Sequence, residues 1–282
     1  MSLALSRVFD GITLASILAL VSLGLAVIFG LMRVINLAHG DFFTAGLYVV
    51  VALDSTTGFW LAAALSLLII GMLGVLVQTT VLRWLWRRPL DTLLATWGVG
   101  IVIRELLTLV FGPGYRQVAL PIHTFISIGS FHYSLYRLIL VAISLSLAGA
   151  VVLVLLKTTF GLRLRAVLDD REMAVAYGVW PERVNVIAFA TGAGLAGVAG
   201  ALMSPIVSVF PDAGLAFLAQ AFFVVIIGGA GRIAGVFAGA AVIALAATIS
   251  GAYVSPLVSQ VIVLVLAVFV MRLRPQGLFT TS

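Results

Sequence analysis

Three polar residues interrupt an apolar run near the start of the chain: Asn36, His39 and Asp41. Asn36 and His39 share a face if this segment is helical, because residues three apart are neighbours on a helix. Such groups could line a polar path or hold a hinge. Alternatively, Asp41 caps a helix that begins at Phe42, while His39 hydrogen-bonds to a neighbouring helix. One His and one Asp at this spacing are too few ligands for a metal site.

A second pair of charged residues, Arg104 and Glu105, lies inside the apolar segment 92–110. A charge at the centre of a membrane helix costs roughly 2.5–3.5 kcal/mol on insertion scales. Adjacent residues point in different directions, so one of the two can face a pore and the other a neighbouring helix. Because Glu105 is close to the end of the apolar run, we favour a position at the outer interface, where both side chains snorkel towards water.

The sequence lacks the motifs of an enzyme. No G-x-x-x-x-G-K-[S/T] segment is present, so we do not expect this chain to bind a nucleotide. Neither a nucleophile–base set nor a pair of catalytic carboxylates can be found in the sequence. There are no cysteines, which excludes disulfides, thiol chemistry and Cys-ligated metals. The sequence therefore predicts a chain that is not an enzyme and has no cofactor or metal of its own.

The longest polar segment of the chain is the charged loop, residues 157–183. Asp169 is placed to cap a helix, with Glu172 three residues later as the return half of a capping box. Gly178 is placed to end that helix in the left-handed conformation. These signals predict a helix over 170–177, about 12 Å long. A helix this short is marginal in water and must pack on something. The alternative is a solvated loop whose charges only set topology.

Composition indicates an integral membrane protein. Of 282 residues, 63% are hydrophobic and only 9% are charged, whereas a soluble domain carries about 25% charged residues. A bilayer-crossing helix needs about 20 apolar residues. Runs that approach this length occur at 11–31, 35–53, 60–82, 92–110, 136–156, 184–205, 213–231, 233–253 and 257–271.

The sequence predicts an all-α, polytopic membrane protein with eight or nine transmembrane helices, some of them discontinuous, in a single domain over 1–282. Excess Lys and Arg mark the cytoplasmic side of a membrane protein, so the formal charge of +6 does not indicate nucleic acid. With the charged loop inside, the basic residues are strongly biased to that side. Nine crossings put the N-terminus outside. A re-entrant 35–53 segment would give eight crossings and an inside N-terminus.

Glycines occur at helical spacing in two later segments, 192–200 and 228–239. Small residues four apart let helix backbones approach closely, so we expect packing to be their main role. Gly228, Gly229 and Gly231 can also break a helix and open its backbone to a cavity. A full helix followed by an interrupted one occurs at 11–53 and again at 184–231. This arrangement predicts two antiparallel copies of one unit, which in transporters flank the substrate route.

The charged loop also carries a family resemblance. The segment 172–178, EMAVAYG, resembles the cytoplasmic E-A-A-x-x-x-G loop of ABC importer permeases, with Met173 in place of the second Ala and without the downstream Leu-Pro of some such loops. Over nearly the full length, the chain is similar to the shorter permease subunit of the branched-chain (Liv-type) amino acid ABC importers. The stretches that carry this resemblance are 34–40, 161–178, 226–231 and 274–279.

The resemblance implies a role and a set of partners. It implies a permease subunit in the bacterial inner membrane that translocates a small hydrophobic or branched-chain amino acid. The expected partners are a second, homologous permease, two ATP-binding subunits that bind and hydrolyse the ATP, an extracytoplasmic solute-binding protein and the lipid bilayer, but no nucleic acid. The residues expected to couple to the ATPase are Arg165, Asp169, Asp170, Arg171, Glu172, Ala174 and Gly178.

Two questions stay open from the sequence. The expected translocation path involves Asn36, His39, Asp41, Gly228, Gly229 and Gly231, but which helices line it is open. The cargo is also open, because close relatives carry urea and short amides. A stand-alone secondary transporter or channel is the alternative of another class. It would need a coupling carboxylate within the membrane, for which Glu105 is the only candidate.

Overall fold

The computed structural model describes residues 2–32, 36–85, 88–128, 131–229, 233–274 and 277. Within these ranges the chain forms eleven α-helices, one short 3-10 helix and one pair of β-strands. The helices are α1 (Ser2–Met32), α2 (His39–Thr57), α3 (Phe59–Thr80), α4 (Pro89–Phe111), α5 (Leu135–Lys157), α6 (Thr159–Asp169), α7 (Arg171–Ala176), α8 (Pro181–Met203), α9 (Gly214–Gly228), α10 (Ile233–Gly251) and α11 (Pro256–Leu273). Strands β1 (Phe125–Ile128) and β2 (Phe131–Ser134) pair antiparallel, and the 3-10 helix is Leu82–Trp84.

Seven of the described helices are long and apolar enough to cross a membrane: α1, α3, α4, α5, α8, α10 and α11. Two further helices fall short of this standard. The helix α2 has a polar first turn, and α9 has only 15 residues. Together they give nine helices that pack along the bundle, two of them partial. The prediction of a helical, polytopic membrane protein with some discontinuous segments is therefore confirmed.

The segment between α4 and α5 is not a membrane span, and its second half forms the β-hairpin. The hairpin is anchored to α1, where the Tyr133 hydroxyl lies 3.0 Å from Thr13 Oγ1 and also bonds to Asp10. Burial raises the pKa of the Tyr133 hydroxyl, and its hydrogen bond with Thr13 opposes that shift. Arg137, at the start of α5, pairs with the same aspartate.

The bundle has two opposite ends, which we name by their elements. The hairpin face carries β1, β2 and the N-terminal part of α1. The loop face carries α6 and α7, and there Val27 of α1 packs in one cluster with Leu164 of α6. The start of α1 and the charged loop therefore lie at opposite ends of the protein. This agrees with the nine-crossing arrangement.

The helix α8 occupies the centre of the bundle because its glycines let three helices approach its backbone. Gly192 faces Gly24 of α1, and Gly197 faces Gly46 of α2. An added Cβ at Gly197 would also lie 2.6 Å from the Ile70 side chain of α3. The packing role predicted for the glycines of 192–200 is confirmed. Shape, rather than polarity, fixes α8 against its neighbours.

Candidate functional site

The charged loop folds as two consecutive helices, α6 and α7, joined at Asp170. Asp170 has an extended backbone (φ −149°, ψ 107°), and its carboxylate accepts hydrogen bonds from the amides of Glu172 and Met173, each at 2.9 Å. The prediction that Asp169 caps this helix is wrong. Asp169 ends α6, and the amide of Asp170 still donates to the Ala166 carbonyl. The chain therefore turns one residue later than predicted.

This shift also removes the predicted capping box, because Glu172 is now the second residue of α7 instead of the third. The rest of the prediction for this helix is confirmed. The helix covers 171–176 within the predicted 170–177, and Gly178 follows it with φ +77°. The amide of Gly178 donates to the Val175 carbonyl, and that of Val179 donates to Ala174.

One residue of α7 fixes the helix to the rest of the protein. Ala174 is only 3% exposed and lies in a buried apolar cluster that is separate from the main core. That cluster joins the charged loop to three spanning helices; its members are Val27, Leu155, Leu164, Val167, Ala174, Val184 and Ala188. Ala174 therefore shares one buried cluster with residues of α1, α5 and α8.

The opposite side of the loop presents exposed apolar side chains. Met173, Tyr177 and Trp180 are all more than half exposed. A shallow groove of about 390 Å³ runs beside them; it is lined by Leu162, Arg163, Ala166, Asp169, Asp170, Met173, Ala174, Tyr177 and Val179. An exposed apolar patch with a charged rim is typical of a surface that binds another protein.

The charged residues of the loop lie around this patch. Arg171 pairs with Glu182 at 2.7 Å, which joins the start of α7 to the start of α8. The Arg183 guanidinium lies over the Trp180 ring, 5.3 Å from its centroid. The predicted coupling residues Arg165, Asp169, Asp170 and Glu172 are exposed. They are therefore available to a partner.

The polar patch at the start of α2 is buried in the middle of the bundle. Asn36 accepts a hydrogen bond from the amide of Ala38 through its side-chain oxygen, at 3.1 Å. His39 Nε2 lies 3.0 Å from the carbonyl oxygen of Val21, and because a carbonyl only accepts, Nε2 carries the hydrogen. Within the described residues, His39 Nδ1 and Asn36 Nδ2 have no hydrogen-bond partner. His39 thus bonds to a neighbouring helix, as one of the two interpretations predicts.

Asp41 lies inside the first turn of α2, which begins at His39 rather than at Phe42. The expected capping role is therefore wrong, and the carboxylate has a different partner. Asp41 Oδ1 lies 3.2 Å from Arg104 Nε of α4, and Arg104 Nη1 lies 3.3 Å from Asp212 Oδ1, just before α9. We call Asp41, Arg104 and Asp212 the charged triad. A Cβ at Gly100 would overlap the Asp41 carboxylate, so a glycine at that position admits it.

The triad corrects the expectation that Arg104 snorkels at an interface. Its side chain is only 17% exposed and is held between two carboxylates. Asp212 is not among the site residues predicted from the sequence. The sequence does contain a signal for this pairing, because an isolated acid and an isolated base in apolar segments each need a partner of opposite charge. Glu105, next in sequence, is exposed, and no ion pair reaches it among the described residues.

The predicted glycine site lies at the other end of α9. Gly228 faces Gly235 of α10, and Gly229, with φ +91°, ends α9. Gly277 of the C-terminal tail, with φ +86°, packs on Gly229, where an added Cβ would lie 2.6 Å from its Cα. Gly231 lies outside the described residues. The structure thus places Gly228 and Gly229 in a tight junction of three chain segments, away from the triad.

The described residues contain no group of three or more His, Cys, Asp or Glu side chains that could hold a metal ion. What the site offers is a partner-accessible patch at one end of the bundle and a buried set of charges in its middle. Such an arrangement suits the movement of a solute better than its chemical conversion.

Comparison with known proteins agrees with this conclusion. Residues 7–271 match the family model described as branched-chain amino acid transport system / permease component. The high-affinity branched-chain amino acid transport system permease protein LivH of Escherichia coli K12 is 28% identical, over 97% of this chain and 94% of LivH. The corresponding protein BraD of Pseudomonas aeruginosa is 24% identical, over 97% of this chain and 95% of BraD.

A second type of permease is also similar. The LivM permease protein of Escherichia coli K12 is 28% identical over 79% of this chain and 58% of LivM. No solved structure matches the chain. The protein is a multi-pass permease subunit of an ABC importer in the inner membrane and not an enzyme. It belongs to the family of permease components of branched-chain amino acid transport systems.

Proposed function

We propose that this subunit carries a small apolar amino acid of the branched-chain class. In this proposal an extracytoplasmic binding protein delivers the amino acid, and a second permease of the same family completes the pathway. Two ATP-binding subunits supply the energy. The names of the LivH, LivM and BraD relatives support the cargo and the second permease.

The observation that carries the proposal is the two-sided character of α7. One side buries Ala174 in an apolar cluster that includes residues of α1, α5 and α8, and the other exposes Met173 and Tyr177 beside an apolar groove. A helix that only solvated a loop would not need an apolar outer side. We propose that the charged loop is cytoplasmic and that the ATP-binding subunits dock on this outer side. The predicted coupling residues, from Arg165 to Gly178, then surround the docking site.

The same contacts suggest how force passes into the membrane. When the ATP-binding subunits close on ATP, they would displace α7, and Ala174 would carry that displacement to α1, α5 and α8. The glycine contacts of α8 join it closely to α1, α2 and α3. A push on α8 therefore moves the bundle as packed bodies. The ATP-dependent contacts shift the population between two arrangements of the bundle.

We place the translocation path at the middle of the bundle, beside Asn36, His39 and the charged triad. These groups are polar in otherwise apolar surroundings, which is typical of a solute route. Gly228 and Gly229, at the end of α9, are proposed as the junction about which that helix tilts. Transporters commonly build their sites where interrupted helices begin near the middle of the membrane.

The test is reconstitution of the whole complex in liposomes with ATP inside and the binding protein outside. We expect ATP-dependent uptake of labelled leucine, isoleucine or valine. The paired substitution Met173→Asp and Tyr177→Asp should abolish binding of the purified ATP-binding subunits, because it adds charge to the apolar patch. Asp54→Asn, at the other end of the bundle, serves as the matched control. Uptake of urea but not of leucine would contradict the proposed cargo, and equal uptake without ATP would contradict the mechanism.

A further inference from the structure

The charged triad has one buried and one accessible carboxylate. The Asp41 side chain is 3% exposed, that of Arg104 17%, and that of Asp212 59%. The three residues come from different parts of the fold: the first turn of α2, the middle of α4 and the turn before α9. The buried Asp41 thus holds Arg104 on one side, while the ion pair of Arg104 with Asp212 is partly exposed. Only the Arg104–Asp212 pair is accessible to a ligand.

The triad carries one more negative charge than positive charge. Two carboxylates share a single guanidinium, and Arg stays protonated in proteins. The helices α2 and α9 both begin beside it, and the positive ends of their dipoles offset part of the excess. A ligand that brings a cation and an anion together could join this arrangement without adding net charge. A neutral solute would gain little from it.

The backbone near the triad offers little to a ligand. The amide of Gly214 donates to Thr44 Oγ1 at 2.9 Å, and the amide of Leu215 donates to the Asp212 carbonyl at 3.1 Å. These first amides of α9 are therefore already bonded. Recognition at this point depends on the charged side chains. A guanidinium can bind a carboxylate through two parallel hydrogen bonds, and a carboxylate accepts well from an ammonium group.

We infer that the Arg104–Asp212 pair is the head-group site for a zwitterionic amino acid in the translocation path. Arg104 binds the carboxylate of the ligand, Asp212 binds its ammonium group, and Asp41 is a positioning residue that holds Arg104. This inference rests on the proposed function and adds the residues that distinguish an amino acid from a short amide or urea. The α-carbon of an amino acid separates its two charges by a distance that suits two adjacent side chains.

The surroundings of Asp212 also suit an apolar ligand side chain. Leu215, Ala216 and Ala219 are exposed, as Asp212 is, and they lie on one side of α9, three, four and seven residues after Asp212. An aliphatic chain bound by its head group at Asp212 would lie along this strip. When an amino acid occupies the head-group site, it breaks the Arg104–Asp212 ion pair. The ligand itself therefore releases the start of α9 from α4.

The chain has no cysteine, which gives a direct binding assay. Ala216→Cys places the chain's single thiol one turn from Asp212, and its rate of modification by N-ethylmaleimide is measured in the assembled complex. The probes are leucine, its deaminated analogue 4-methylpentanoate and its decarboxylated analogue isoamylamine. We expect leucine to protect the thiol at concentrations at least about tenfold lower than either single-charge analogue, because a site built for polar groups rejects ligands that lack them.

Substitutions then separate recognition from folding. In Asp212→Asn, leucine and 4-methylpentanoate should protect the thiol at similar concentrations. In Asp212→Glu, leucine should still protect at a lower concentration than 4-methylpentanoate, although the difference should be smaller than in the parent. In Arg104→Lys, the advantage of leucine over isoamylamine should fall, since the fork of the guanidinium is lost. Glu105→Gln is the control, and its protection ratios should stay within about twofold of the parent, because the neighbouring side chain is not part of the triad. A change in stability alone would move none of these ratios.

Two outcomes overturn the inference. One is a ratio of leucine to 4-methylpentanoate that is unchanged in Asp212→Asn. The other is loss of that ratio in Glu105→Gln to the same extent. The proposed function is tested separately by uptake. A parent complex that imports leucine while Asp212→Asn keeps its discrimination refutes only the head-group site. A parent complex that shows no ATP-driven leucine uptake refutes the proposed function.

Discussion

Gly40 and Gly214 face each other where the first turns of α2 and α9 cross. A Cβ on Gly40 would lie 2.6 Å from the Gly214 carbonyl oxygen, and a Cβ on Gly214 would overlap the Gly40 carbonyl. Thr44 joins the same two helices, since its hydroxyl donates to Gly40 and accepts from the Gly214 amide. The crossing brings Asp41 and Asp212 to one side chain, Arg104. The charged triad therefore depends on two residues that have no side chain.

Gly214→Ala should separate these helices and weaken the triad. Overpacking a tight contact typically costs about 1–3 kcal/mol, so the thermal midpoint of the purified subunit should fall and uptake should decrease. Gly149→Ala is the matched control, because no atom lies within 4 Å of its added Cβ. That control should be neutral or stabilising by up to about 1 kcal/mol. Equal midpoints for the two variants would contradict the close contact.

Asp170→Ala should loosen the start of α7. Loss of an N-cap side chain costs about 0.5–2 kcal/mol, and a helix of six residues has little else to hold it. Hydrogen exchange of the Glu172 and Met173 amides should accelerate. Asp170→Asn should keep the protection because Asn also caps well, and Asp169→Ala should leave it unchanged. If Asp169→Ala had the larger effect, the cap would be at the residue predicted from the sequence.

Ala174→Leu should uncouple the charged loop from the bundle. The extra carbons do not fit a residue that is 3% exposed, so α7 must move away from α5 and α8. We expect leucine uptake to fall at least about tenfold while the complex still assembles and hydrolyses ATP, because the exposed side chains of Met173 and Tyr177 are unchanged. Ala176→Leu, on an exposed position of the same helix, is the control. Normal uptake in Ala174→Leu would show that force does not pass through this residue.

Local signals in the sequence predicted the position of α7 and its end well. The stop at Gly178 depends on residues within one turn, and its positive φ follows from the chemistry of glycine. The cap was misplaced by one residue because two consecutive aspartates offer the same side chain. The helix α6 was not predicted, although its buried residues Gly161, Leu164 and Val167 recur every three positions. Its arginines obscured that pattern.

Contacts between distant segments could not be predicted in the same way. Arg104 and Asp212 are 108 residues apart, and their pairing depends on how α4 and α9 pack on α2. Composition shows that each charge needs a partner but not which one. The inverted arrangement of α1–α2 and α8–α9 was expected from the pattern of full and interrupted spans. In the structure the two pairs do run in opposite directions, and the starts of their second helices meet at Gly40 and Gly214.

The proposal depends most on where α7 lies and what covers it. Tyr177 is 83% exposed, and Tyr177→Cys introduces the only thiol of this chain. In membrane vesicles of both orientations, a membrane-impermeant maleimide should modify this thiol only from the cytoplasmic side, and purified ATP-binding subunits should protect it. Modification from the external side, or equal modification with and without those subunits, would contradict the assignment of α7 as the docking element.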